Sequence, residues 1–162
     1  MLSKIVRTAT AGLVCTLIAA GAVVGQNAGI EVVGVEGKPV AVALEKLERR
    51  TIVTEDRGLR TTFEGVALRD AVALAGVMFG EKLRGKALAQ VVLATARDGY
   101  QVAYAIAELD AAFTDQIVLL ADRRDGRPLL SDTGPWQIIV PNDKRPARWM
   151  RQVSRIEVRQ LQ

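Results

Sequence analysis

The stretch Leu119–Arg159 reads LLADRRDGRPLLSDTGPWQIIVPNDKRPARWMRQVSRIEVR, and it changes character every few residues. Ile117–Ala121, Trp136–Val140 and Val153–Val158 are short apolar runs. Asp125-Gly126, Arg127-Pro128, Gly134-Pro135 and Pro141-Asn142-Asp143 punctuate them. Runs too short for an ordinary helix, bounded by turn residues, fold as strands joined by turns. The two most apolar, Ile117–Ala121 and Trp136–Val140, read as central strands.

The rest of the chain uses the same grammar. Ile30–Val35 reads as a strand broken by Glu36-Gly37, and Val40–Val42 as a second short one. Leu44 and Leu47 among Glu45, Lys46, Glu48, Arg49 and Arg50 predict a short amphipathic helix. Thr51–Thr54 and Leu59–Phe63, joined by Glu55-Asp56-Arg57-Gly58, predict a hairpin. Leu68, Val72, Leu74 and Ala75 predict a helix stopped by Gly76. Met78–Lys86 reads as a mobile loop. Val91–Ala94 and Tyr100–Ala105 flank the Asp98-Gly99 turn. Ile106–Phe113 reads as a short helix with Glu108 and Asp110 exposed. Strands dominate and helices are short and scattered, so the fold class is α+β, with mixed β-sheets and short helices. Neither a G-x-G-x-x-G nor a Walker A pattern occurs, which removes phosphate loops of those types.

The first segment is different. Lys4 and Arg7 precede the uncharged run Ala9–Val24, and Ala20-Gly21-Ala22 and Val23-Val24-Gly25 both offer small residues for cleavage. This predicts a signal peptide over residues 1–25, a mature domain over 26–162, and a periplasmic or secreted protein. The run is shorter than the ~20 residues of a spanning helix, so no membrane span is expected after processing. Cys15 lies inside the run; Val14 before it does not suit a lipoprotein site. Cys15 is the only cysteine and the chain has no histidine. A mature chain with neither excludes disulfides, thiolate metal sites, haem with His or Cys ligands, and Ser-His-Asp or Cys-His catalysis.

Charge is also uneven. The formal net charge is +4, and Lys144, Arg145, Arg148, Arg151, Arg155 and Arg159 crowd one short segment with only Glu157 against them. Aromatic residues are few and no stacking platform interleaves with these arginines, so a nucleic-acid partner is not expected.

The ordered series Gly65-Val66-Ala67-Leu68-Arg69-Asp70, Asp98-Gly99-Tyr100, Leu119-Leu120-Ala121, Asp125-Gly126, Gly134-Pro135, Val140-Pro141, Arg145, Arg148-Trp149 and Ile156-Glu157-Val158 resembles the sulfite-oxidase-type molybdopterin-binding domain. The resemblance runs from about Ile30 to Val158 and is nearest to small, secreted, single-domain members. It implies a reduced version of that fold. In the family a cysteine thiolate ahead of the GVxLxD landmark binds molybdenum, as suits a soft ligand. Here that region has shrunk to the hairpin Thr51–Phe63 and holds no cysteine; the family's histidine contacts are missing too. In the family, basic side chains near an RxxKW signature contact the cofactor phosphate. Arg145 and Arg148 match those positions, with Lys144 beside them, and guanidinium groups suit phosphate or carboxylate. The plainer alternative is a solvated basic face with Trp149 packed below it. Arg123-Arg124 reads as a charge-compensated hairpin, Asp98 as a turn aspartate before Gly99 and Tyr100 as a half-buried tyrosine.

The reading is therefore a secreted binder of an anionic small molecule or a partner, non-catalytic or cofactor-poor. Molybdopterin is admitted by the resemblance, but no tightly bound cofactor is expected. Two alternatives stay open. One is an oxidoreductase subunit holding molybdopterin through Arg145 and Arg148. The other is a periplasmic interaction module using an exposed sheet edge or the Met78–Lys86 loop.

Overall fold

The computed structural model describes residues 30–40, 42–56 and 58–162. The signal-peptide reading and Cys15 lie outside them. Among the described residues, ten strands and one short α-helix follow in chain order: β1 (Glu31–Val33), β2 (Pro39–Val40), β3 (Arg49–Asp56), β4 (Leu59–Ala67), α1 (Leu68–Ala73), β5 (Gln90–Ala96), β6 (Gln101–Ala105), β7 (Leu119–Arg124), β8 (Arg127–Pro128), β9 (Gln137–Ile139) and β10 (Val153–Gln160). The architecture is α+β with mixed pairing, as the punctuated pattern predicts. One sheet has the order β2-β1-β10-β5-β6, with β1 parallel to β10 and the other neighbours antiparallel. The second has the order β3-β4-β7-β8, with β9 also on β7.

The alternation of each strand decides what it buries. Val32, Val92, Ala94, Tyr104 and Ile156 of the first sheet meet Val66, Leu120 and Ile138 of the second in one core, with Leu68, Ala71 and Val72 of α1. The second sheet also covers its opposite face, where Phe63, Leu119, Ala121 and Ile139 form a smaller cluster. That explains why Ile117–Ala121 reads as continuously apolar: Leu119 and Leu120 are both fully buried, on opposite faces. Half-buried Trp149 packs against both clusters.

Several local readings change. The helix expected over Leu44–Arg50 shrinks to a 3-10 turn at Leu44–Lys46, and Arg49 and Arg50 open β3 instead. Pairing with β4 continues without a break from Arg49–Val66 to Asp56–Leu59, so strand hydrogen bonds outweigh the weak helical pattern. The helix expected over Ile106–Phe113 keeps one 3-10 turn, Ile106–Leu109. The Met78–Lys86 stretch carries a 3-10 turn at Gly80–Lys82, a second begins at Gly85, and Leu83 is buried. Asp110, expected to be exposed, is 1 % exposed and fastens this stretch. Its carboxylate accepts the Gly80 N–H at 2.5 Å and the Ala112 N–H at 3.0 Å. A carboxylate beside two backbone donors is more useful inside than outside, which helical periodicity does not reveal.

Gly65, in the GVALRD landmark, is required by close approach. A Cβ there would lie 2.1 Å from the Leu120 carbonyl oxygen, at the bulge between β4 and β7. Among the described residues no helix is long and apolar enough to cross a membrane.

Candidate functional site

The basic segment sits between β9 and β10. After the Pro141-Asn142-Asp143 turn, Arg145 is extended, and Pro146–Arg148 forms one 3-10 turn with Pro at its start. This turn puts Arg145 and Arg148 in different settings. Lys144 and Arg145 are exposed, and neither side chain has an ion pair or hydrogen bond among the described residues. Arg148 turns inward and lies with its guanidinium carbon 5.5 Å from the Tyr104 ring centroid.

The Arg148 guanidinium is shared between two carboxylates. Nε donates to Asp143 Oδ2 at 2.9 Å and Nη2 to Asp143 Oδ1 at 2.7 Å, a bidentate pair. Nη1 donates to Glu108 Oε2 at 2.9 Å and Oε1 at 3.2 Å. These contacts engage all three nitrogens of the guanidinium. Glu108 Oε1 also accepts the Ala105 N–H at 2.8 Å, which caps the Ile106–Leu109 turn. The hydrogen bonds that Arg148 donates to Asp143, with those to Glu108, hold the guanidinium protonated against the opposing pull of burial. One cation faces two anions, so the cluster repels a further anion instead of receiving it.

Backbone contacts fix the segment around this cluster. The Tyr104 hydroxyl donates to the Arg148 carbonyl at 2.6 Å, the Tyr100 hydroxyl to the Ala147 carbonyl at 3.1 Å, and Trp149 Nε1 to the Val140 carbonyl at 2.8 Å. Burial pushes the Tyr104 phenol well up, so it stays a donor at any ordinary pH. Trp149 meets Phe63 edge to face, with centroids 5.9 Å apart.

Among the described residues, Lys144 and Arg145 thus point into solvent-exposed surroundings while Arg148 is engaged by Asp143 and Glu108. A cleft of about 420 Å³ behind the segment is lined by Asp98, Tyr100, Asp132, Trp149, Arg151 and Gln152. Another, of about 270 Å³ at the start of α1, is lined by Arg50, Arg69, Asp70, Thr114 and Asp115 among others. Neither is lined by Lys144, Arg145 or Arg148. Sequence reasoning missed the role of Glu108, forty residues from Arg148; a carboxylate on a short amphipathic run carries no signal of so distant a partner. Asp143, five residues before Arg148, was within reach of a local argument. Elsewhere Asp125-Gly126 forms a two-residue hairpin turn with φ of 50° and 74°, and Arg124 lies 3.6 Å from Asp125, a charge-compensated tip. Asp98 accepts the Tyr100 N–H at 2.9 Å, as a turn aspartate does.

A family model described as the oxidoreductase molybdopterin binding domain matches residues 32–162. No curated protein matches the chain. Set against a molybdenum cofactor, the described residues are a poor fit. They contain neither thiolate nor imidazole, and no group of three or more Asp or Glu among them could hold a metal. The one inward-facing arginine of the basic segment is already occupied by Asp143 and Glu108.

Proposed function

Because the chain belongs to the oxidoreductase molybdopterin binding domain family, we propose that it uses a reduced sulfite-oxidase-type fold as a binding scaffold, without a molybdenum reaction centre of its own. One observation carries the reading. Arg148 matches the family position whose side chain meets the cofactor phosphate, and here it gives its guanidinium to Asp143 and Glu108. A phosphate would have to displace two carboxylates from a partly buried site, with the loss of charge-assisted hydrogen bonds of about 1.5–3 kcal/mol each. The lack of any histidine, and of any cysteine besides Cys15, supports the same conclusion.

The ligand in this reading is an anionic small molecule met at the surface by Lys144 and Arg145. Such contacts are solvated and screened, so binding is weak and falls with salt. Export follows from Lys4, Arg7 and the uncharged run behind them. Intact mass of the protein from its native envelope fraction tests that part; Met1 retained would refute it.

The main test has two arms. Elemental analysis of natively expressed protein, with molybdate supplied, is expected to give well under one molybdenum per chain. Calorimetry with inorganic phosphate and a phosphorylated pterin is expected to show weak binding that drops roughly tenfold when Lys144 and Arg145 both become Ala. Arg148→Ala should leave that binding in place. Stoichiometric molybdenum, or binding abolished only by Arg148→Ala, would overturn the proposal and favour the oxidoreductase-subunit reading.

A further inference from the structure

The four ends of the two sheets are not alike. β2 has two residues and begins with Pro39; β8 has two and ends with Pro128. β6 has five residues. β2 and β8 are thus very short, proline-bearing edges, the forms that discourage pairing with another chain, while β6 is an edge of ordinary length, shorter than β3. The far side of β9 is partly covered, since the Ile138 N–H donates to the Met150 carbonyl at 2.8 Å. β3 is different: eight residues, Arg-Arg-Thr-Ile-Val-Thr-Glu-Asp, paired continuously with β4 on one side. Among the described residues no strand pairs with its other side. It contains no proline, glycine or bulge, and Val53 in its middle is 48 % exposed.

Its charge order is self-complementary. The strand runs from two arginines through an uncharged centre to two acids. Parallel pairing of two copies would set arginine against arginine and acid against acid. Antiparallel pairing sets opposite charges together. We propose that two copies of this chain pair antiparallel through β3, with Ile52 facing Ile52 of the second copy on the two-fold axis.

Symmetry selects this register. An axis normal to the joined sheet keeps each face on the same side in both copies, and residues directly opposite each other share a face. Only residues of the same parity can therefore pair. Centred on Ile52, Arg49 meets Glu55 of the second copy and Thr51 meets Val53 on the exposed face; Arg50 meets Thr54 on the other. Shifting the centre to Thr51 or Val53 removes the acidic partner of Arg49. Ile52 already leans on the cluster of Phe63, Leu119, Ala121 and Ile139, so a second Ile52 across the axis extends an existing apolar surface. Arg49 gives one N–H from each terminal nitrogen to Asp122 and keeps others for a second acid. The pairing is β-augmentation, with main-chain hydrogen bonds joining the copies and cross-strand pairs setting the register. It does not rest on any ligand at the basic segment.

Sedimentation equilibrium of the intact protein over about 1–100 µM tests it. The wild type is expected to dimerise. Val53→Lys, which brings charge next to the axis, is expected to weaken the dimer roughly tenfold or more, with circular dichroism unchanged. Glu55→Arg and Arg49→Glu each place like charges opposite one another and should be monomeric alone. Mixed, the two variants regain both opposite-charge pairs and should form a heterodimer. This arm decides the matter even if Val53→Lys does not fold. A monomeric wild type throughout, or a mixture that stays monomeric, would overturn the proposal.

Discussion

At the scale of single residues, Arg148 and Asp110 illustrate opposite uses of a charged hydrogen bond. Arg148 ties Asp143 and Glu108 together, and its own side chain is 34 % exposed. Removing it leaves two partly buried carboxylates facing each other. Arg148→Ala should cost about 2 kcal/mol, less than a fully buried pair because water screens the site. Urea denaturation measures this as a lower midpoint with an unchanged slope. Asp110 is inside and accepts two backbone N–H groups. Burial alone would push its carboxyl up, but the N–H groups of Ala112 and Gly80, with the charge of Arg69, hold it below the ordinary value. A carboxyl with a depressed folded-state pKa stabilises the fold above its unfolded pKa, and that stability is lost as pH falls through the folded value. Asp110→Asn should therefore cost about 1–3 kcal/mol near neutrality, and the gap to wild type should close in acid. Urea titrations at about pH 7 and about pH 2 compare the two. A gap that stays constant would assign the effect to packing.

At the scale of elements, the β4–β7 contact is the most sensitive to a small change. Gly65 lies where a Cβ would come within 2.7 Å of Ala121 Cα and of the Leu120 carbonyl carbon, besides its oxygen. These are backbone atoms of a fully buried strand and have no rotamer into which to retreat. Gly65→Ala should break the β4–β7 register at the bulge and cost about 3 kcal/mol or more. Loss of amide protection along Leu119–Ala121 in hydrogen exchange is the specific sign, since these residues pair with Gly65–Ala67. The α1 terminus, by comparison, is locally encoded: the Val77 N–H reaches the Val72 carbonyl and the Gly76 N–H the Ala73 carbonyl, a Schellman stop.

For the whole molecule, the two apolar clusters lie on opposite faces of the second sheet, and Trp149 touches both. Its indole also holds the Val140 carbonyl. Trp149→Ala should cost about 3 kcal/mol, with Trp149→Phe recovering most of the packing and losing only the hydrogen bond, about 1 kcal/mol. Thermal unfolding followed by near-ultraviolet and far-ultraviolet circular dichroism checks whether the clusters still melt together in the alanine variant.

Turns and strands were legible because their signals are local. Asp125-Gly126, Asp98-Gly99 and Gly76 specify backbone conformation within a few residues, and apolar runs such as Trp136–Val140 specify burial whatever covers them. The ordered landmarks from Gly65 to Val158 likewise pointed to the family that the match over residues 32–162 establishes. Partners distant along the chain were not legible. That Glu108 takes Arg148, that Asp122 takes Arg49, and that Asp110 is buried against Gly80 depend on which loops the sheets bring together. A charged side chain looks the same in the sequence whether it faces water or a distant carboxylate. Only packing decides, because an ion pair is set by distance in space and the hydrophobic pattern fixes only the faces of the elements that carry it.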